Sequence, residues 1–400
     1  MTSILNNSPI HSVSTQAITL PDIDSQFEWP TFPNSMTYRD LLNRDDIVKG
    51  WVSFDVVAFD PNEGKMGCVW AGLNVLNPTE RSILRKYDLH TKTWDSIDLT
   101  GAIETFDLKI HKGINITKTE LIFSTASFED PIDQFNAPGG KIIVYDKKLK
   151  RVTNSLIPLS PKYGFPLSGM YIQSLRYDES TQKAYGGTYP MEVFFEWDRQ
   201  TNKVNYLAHL TGKLGQPHNF DIDKDGNVWG TYGIGNGWSY FENSHPVRPF
   251  SYNPKKNSFN WFENIHLGRE HLAQNSASDS LVICNDWVYF GDKSGNLNRV
   301  HADTNGNQYL GRVTSTGRVP ALTVHDNCVW GTCGDFGEIY IFKIKSGGDF
   351  EFFGPIQVRD ELRPERLHEL TYIGNNTFMA GENDNHKRSS YMWEIKLKKM

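Results

Sequence analysis

The stretch QPHNFDIDKDGNVWGTYG, residues 216–233, decides how the rest of the chain is read. Two apolar, β-branched and aromatic segments flank DKDGN, and the Asp225-Gly226 pair is a hairpin signal because glycine tolerates a positive φ. The second segment is one copy of a recurring phrase, an apolar run that closes on Gly or another small residue. The copies are CVWAG at 68–72, LIFSTAS at 121–127, KAYGGTY at 183–189, NVWGTYG at 227–233, WVYFGD at 287–292, CVWGTCGD at 328–335 and FMAGEN at 378–383.

The copies lie roughly 40–60 residues apart, the period of four-stranded propeller blades. An inner strand precedes each copy, and a third and a more polar fourth strand follow. After NVWGTYG come a long loop, RPFSYN, the turn PKKN and SFNWFE. Third strands elsewhere read ILRKYDLH, KIIVYDKK, VFFEWDRQ, LNRVHADT, IYIFKIKS and YMWEIKLK. Seven copies predict an all-β, seven-bladed β-propeller over one domain, residues 1–400. The chain stops after YMWEIKLKKM without a fourth strand, and an open edge invites aggregation. Part of Ser12–Phe32 is therefore expected to supply the outer strand of the last blade and close the ring. Residues 1–45 form this closing segment, 46–400 the blades, and residues 1–10 read as a disordered tail.

Composition narrows the partners. The net charge of -6 argues against a nucleic-acid partner, which needs a basic stripe. No run of about 18 apolar residues exists, so no membrane span is expected. MTSILNNSPIHSV lacks a basic start and an apolar core, which makes a cytoplasmic chain the default and a secreted one the reading for a mature form. Cys68, Cys284, Cys328 and Cys333 form no CxxC pair and read as small core residues. A monomer is expected.

Ligands of propellers sit at the mouth of the channel, where the inner strands begin. This places His218, His245, His266, His271, His368 and His386 near the site, and His90, His111, His301 and His325 on the opposite face. Around Gln216–Asn219 gather Gln173 and Tyr189 of blade 3, Tyr232, Trp238 and Tyr240 of blade 4, and Arg269 and His271 before blade 5. Blades 6 and 7 add Arg318, Arg366, His368 and the loop from Glu382 to His386. Arginines grip carboxylates with paired hydrogen bonds, and aromatic rings form platforms for sugar faces. The set suits an acidic saccharide. β-Elimination at a uronic acid needs a neutralised carboxylate, a base for the C5 proton and an acid for the leaving oxygen. His218 is the candidate base, with Tyr189 and His271 as acid or partner. Arg318, Arg366, Gln173, Asn219, His368, Tyr232, Trp238 and Glu382 are the candidate binding residues. The competing reading makes Arg318 and Arg366 ordinary ion-pair partners of Asp335, Glu365 or Glu369.

Two motifs carry less. Asp221–Gly226 begins like a calcium loop, but Tyr232 stands where the bidentate Glu belongs. Gly233, Gly235 and Gly237 lack the strand-to-helix context of a dinucleotide fingerprint.

QPHNFDIDKDGNVWGTYG is similar to repeats of virginiamycin B lyase-like and gluconolactonase-like propellers. IQSLRYDESTQKAYGGTYP at 172–190 and RLHELTYIGNNTFMAGENDN at 366–385 resemble segments of seven-bladed propeller polysaccharide lyases. Those closest in length cleave L-rhamnose from D-glucuronate in arabinogalactan side chains. This resemblance implies β-elimination at a uronate without a cofactor. The related oligogalacturonate lyases imply an alternative in which His218, His271, His368 and Gln173 hold a divalent metal. Two rivals stand beside it: a virginiamycin-type C–O lyase or lactone hydrolase using Glu382, Asp384 and Asp292, and a non-catalytic interaction propeller.

Overall fold

The computed structural model describes residues 3–22, 52–75, 82–126, 137–165, 169–189, 191–214, 218–232, 247–265, 278–335, 337–345, 348–358, 362–383, 385 and 388–398. The protein is all-β, with seven blades arranged as a β-propeller. Among the described residues no helix is long and apolar enough to cross a membrane.

The chain divides into two compact units. The first holds Met1–Ser14, Arg176–Leu370 and Leu397–Met400; the second holds Thr15–Leu175 and Thr371–Lys396. The four divisions fall inside strands Val13–Ile18, Tyr171–Asp178, Leu367–Gly374 and Met392–Leu397.

In the first unit, blade 4 runs Asp221–Ile222, Val228–Tyr232, Arg248–Asn253 and Ser258–Trp261, all antiparallel. Blade 5 runs Ser278–Cys284, Trp287–Asp292, Asn296–His301 and Asn307–Arg312. Blade 6 runs Ala321–His325, Cys328–Cys333, Tyr340–Ile344 and Phe350–Phe353. The repeated phrase is the second strand each time. Its glycine is a packing slot: a methyl group at Gly331 would stand 2.5 Å from the Phe342 ring, and one at Gly230 would stand 2.7 Å from Phe220. The aromatic rings fill what the glycines vacate, as close-packed interiors require. Phe194, Phe220, Phe250 and Tyr252 pack together, with Phe194 and Phe250 edge to face at 5.4 Å.

In the second unit, blade 1 runs Val52–Asp60, Cys68–Val75, Leu84–Asp88 and Thr93–Ser96, and blade 2 runs Asn115–Ile116, Glu120–Ser124, Ile142–Asp146 and Arg151–Leu156. Phe54, Trp70, Leu73, Ile110 and Phe123 lie at the centre of its core. The four cysteines are free, and Cys68, Cys284 and Cys333 are buried among strand residues.

The last blade is completed as the sequence demands. Its sheet runs Leu367–Gly374, Thr377–Glu382, Met392–Leu397 and, outermost, Val13–Ile18. The reading of residues 1–10 as a disordered tail is corrected for residues 3–10. Leu5–Asn7 form a 3-10 turn, Leu5 is buried against Val313 and Phe352, and Ile10–His11 pair in parallel with Phe352–Phe353. Blade 6 thereby gains a fifth strand. An apolar Ile4-Leu5 pair and a β-branched edge residue were the signals.

Candidate functional site

His218 lies three residues before the inner strand of blade 4. Phe220, two residues on, is locked 5.2 Å from Phe194 in the aromatic core, which fixes the backbone that carries the imidazole. His218 is buried. Its Nδ1 lies 3.2 Å from the Ser278 carbonyl and 3.5 Å from Asp279 Oδ1. A carbonyl oxygen only accepts, so this arrangement puts a proton on Nδ1. Asn219 donates its amide to the Asp279 carbonyl at 2.8 Å.

Asp279 owes its position to a bulge. Ser278 pairs with Asp292 and Ser280 with Gly291, so Asp279 is the extra residue in the inner strand of blade 5. Bulges re-aim side chains. The Asp279 side chain is fully buried. Arg318 Nη1 lies 3.0 Å from its Oδ2 and Lys293 Nζ 4.0 Å from its Oδ1. Burial alone would raise its pKa, but Arg318, Lys293, His218 and Arg366 together hold it at about 2.

Arg318 also approaches Asp335, Nε to Oδ2 at 3.6 Å, and Arg366 Nε donates to Asp335 Oδ1 at 3.0 Å. Gly317, at φ +74, allows this closeness: a side chain there would stand 2.6 Å from the Asp335 nitrogen. Burial raises the pKa of Asp335 against the pull of Arg366 and Arg318, and the charge of Asp279 adds to the rise. His368, on the inner strand of blade 7, stands edge-on to His218 with ring centroids 6.3 Å apart. Three cationic side chains thus surround two carboxylates beside two histidines. Arg318 keeps 21% of its side chain exposed, the most of the ion-paired groups.

The structure therefore brings together His218, Asn219, Arg318, Arg366 and His368. The ion pairs of Arg318 and Arg366 with Asp335 exist as the competing reading had them. Asp279 and Lys293 escaped the sequence reading. The available signal was an acid one residue into an apolar inner strand, in SDSLVIC.

Other candidates sit elsewhere. Tyr189 is buried at the end of the second strand of blade 3. Tyr232 packs edge-on against Trp261 of the outer strand at 4.9 Å, and burial raises its pKa. Glu382 belongs to the second unit. It is fully buried and accepts from Arg388, Asn385, the Tyr391 amide and the Trp393 indole, which makes it an internal hub. Gln173 and His111 are also in the second unit and bonded to each other. His111 is buried at the starting end of the inner strands, not in a solvated turn as its sequence position implied. His271, Trp238, Asp384 and His386 lie outside the described residues. Asp292 caps the turn to Asn296, and Asp223 accepts from the Asn227 amide and the Trp229 indole in its hairpin. Among the described residues no group of three or more His, Cys, Asp or Glu is placed to hold a metal ion.

No protein-family model matches the sequence, and no curated protein is similar to it. Solved structures share its architecture. U3-55K superposes with a TM-score of 0.57 at 10% identity, over 86% of this chain and 96% of that one. The extracellular domain of the one component system BT4673 from B. thetaiotaomicron superposes with a TM-score of 0.56 at 14% identity over 85% of this chain. This chain spans only 38% of that domain's length. A structure described as a gluconolactonase reaches a TM-score of 0.42 at 13% identity, over 70% of this chain and 85% of that one. At these identities the likeness to the first two shows the fold alone: a β-propeller.

Proposed function

We propose that the first unit binds an acidic saccharide and that the protein is a carbon–oxygen lyase cleaving a glycosidic bond to a uronic acid by β-elimination. The observation that carries this reading is the linked set His218–Asp279–Arg318. With the proton on Nδ1 turned to Ser278 and Asp279, Nε2 of His218 is the basic nitrogen. Nε2 takes the C5 proton of the uronate. The C5 electron pair forms the C4–C5 double bond, and the C4–O bond breaks with its electrons on oxygen. His368, edge-on to His218, returns a proton to that oxygen. Arg318 and Arg366 neutralise the substrate carboxylate, which makes the C5 proton acidic. Asp279 stabilises the imidazolium that forms.

The test is direct. The protein is incubated with rhamnosyl-glucuronate and galacturonan, with and without divalent cations. Absorbance is followed near roughly 235 nm, where the unsaturated uronate made by acid–base elimination absorbs. A rise with one substrate supports the reading. A flat trace with every acidic glycan rejects it and leaves an interaction propeller or a hydrolase.

A further inference from the structure

Asp335 closes the repeated phrase of blade 6, CVWGTCGD, two residues beyond the strand Cys328–Cys333. Gly334, at φ +98, turns the chain out of that strand. Two backbone bonds hold the turn. The Gly334 amide donates to the Arg318 carbonyl at 3.0 Å, and the Glu338 amide donates to the Asp335 carbonyl at 3.2 Å. The carboxylate is thereby set against both arginines of the first-unit site. Arg366 Nε donates to Oδ1 at 3.0 Å, while Arg318 Nε stands 3.6 Å from Oδ2, longer than an ordinary hydrogen bond.

The two acids of the site are held unequally. Asp279 takes the close contact with Arg318, with Lys293 and His218 behind it, and is kept at about 2. Asp335 takes the longer contact. Burial pushes its pKa up against the pull of Arg366 and Arg318, and the charge of Asp279 across Arg318 adds to the rise. The other titratable groups nearby are Glu338 on its own turn, Glu365 beside Arg366, and His368, edge-on to His218. Of the two internal anions, Asp335 is the one that gives up its charge more readily. Arg318, with 21% of its side chain exposed against 8% for Asp335, is the member that a ligand in solvent meets first.

A second carboxylate brought to the same guanidinium groups is repelled by a charged Asp335 and not by a neutral one. We propose that Asp335 is the chain's own competitor for the carboxylate site: a bound uronate carboxylate replaces it as the counter-charge of Arg318 and Arg366, and Asp335 becomes neutral by taking a proton from solvent. This rests on the reading that the first unit binds an acidic saccharide. It adds that the arginines are already occupied before the ligand arrives, and that binding is an exchange of one carboxylate for another. The affinity then rises as pH falls, because the proton that neutralises Asp335 is a partner in binding.

The probe is D-glucuronate, titrated calorimetrically into the full chain between about pH 5 and 8, the range in which histidines also titrate. Buffers of different ionisation enthalpy count the protons taken up. The natural protein is expected to take up as much as one proton per glucuronate through Asp335, and to bind up to about tenfold more tightly for each pH unit lowered, the linkage for one proton. Asp335→Asn is expected to bind more tightly at neutral pH and to take up fewer protons by that one. Uptake that remains in the variant belongs to His218 and His368. Should Asp335→Asn fail to fold by circular dichroism, infrared difference spectra of the natural protein decide. Glucuronate is expected to raise a protonated-carboxyl band, and binding without that band overturns the proposal. Equal affinity and equal uptake in the two proteins overturn the competitor role and leave the saccharide site standing. No binding by either protein overturns both.

Discussion

Arg318 sets its Nη1 3.0 Å from Oδ2 of Asp279, a carboxylate that shows no surface to solvent. The pair works because Arg318 is partly exposed and Asp279 is not. The cation keeps some hydration while the anion is charged inside the fold. Removing the anion strands Arg318, Lys293 and His218 together. Asp279→Asn is expected to cost about 3 kcal/mol, the scale for breaking a buried ion pair. Urea denaturation of the two proteins measures it, and an unchanged midpoint would contradict the assigned role.

The same carboxylate predicts a pH dependence. Its folded pKa of about 2 lies below its ordinary value of 3.8. The stability it contributes is therefore complete above its ordinary value and is lost as pH falls toward 2. Melting temperatures measured from pH 5 down to pH 2 are expected to drop less steeply for Asp279→Asn than for the natural protein. Parallel curves would show that Asp279 does not carry this linkage.

Glu382 accepts from both terminal nitrogens of Arg388, at 2.9 and 3.1 Å, and from the indole of Trp393. Glu382→Gln replaces a fully used carboxylate with an amide that must turn one NH2 toward donors. We expect a loss of about 3 kcal/mol in the unfolding free energy, from the arginine left buried without its anion. Calorimetry or denaturant titration reads it.

The N-terminal segment guards two edges. Val13–Ile18 covers the last blade, and Leu5 fills a slot beside Val313. Leu5→Ala is expected to cost about 2–3 kcal/mol. Deleting residues 1–20 bares the edge of Met392–Leu397 and is expected to produce concentration-dependent aggregation, visible by light scattering. A truncated protein that stays monodisperse with an unchanged melting temperature would contradict this.

The architecture was legible because it is written seven times. A period of 40–60 residues gave away the number of blades, and of the expected closing segment Ser12–Phe32, Val13–Ile18 is the outer strand of the last blade. His218 was legible because it opens an inner strand next to a hairpin signal. Asp279 was not, because it sits in an apolar strand and only the bulge between Ser278 and Ser280 turns it toward its partners. Lys293 follows a turn-capping Asp292 and reads as solvated. Glu382 stands in a loop-like string, GENDN, that looks exposed, yet an arginine six residues on and an indole eleven residues on draw it inside. His111 reads as a turn residue because its strand partners lie in distant segments, Ala126 near Lys109 and Gln173 beside it. Such errors share one cause. Local pattern specifies strands, whereas the polar network depends on which residues of neighbouring blades meet.

The central claim is that His218 is the base of an elimination reaction. The most direct measurement is the rate at which His218→Ala generates the unsaturated uronate chromophore from the substrate that the natural protein cleaves, with folding verified by circular dichroism. The account predicts a loss of about 10²–10⁴-fold, the contribution of a positioned general base. A folded His218→Ala protein that turns over at the natural rate would contradict it.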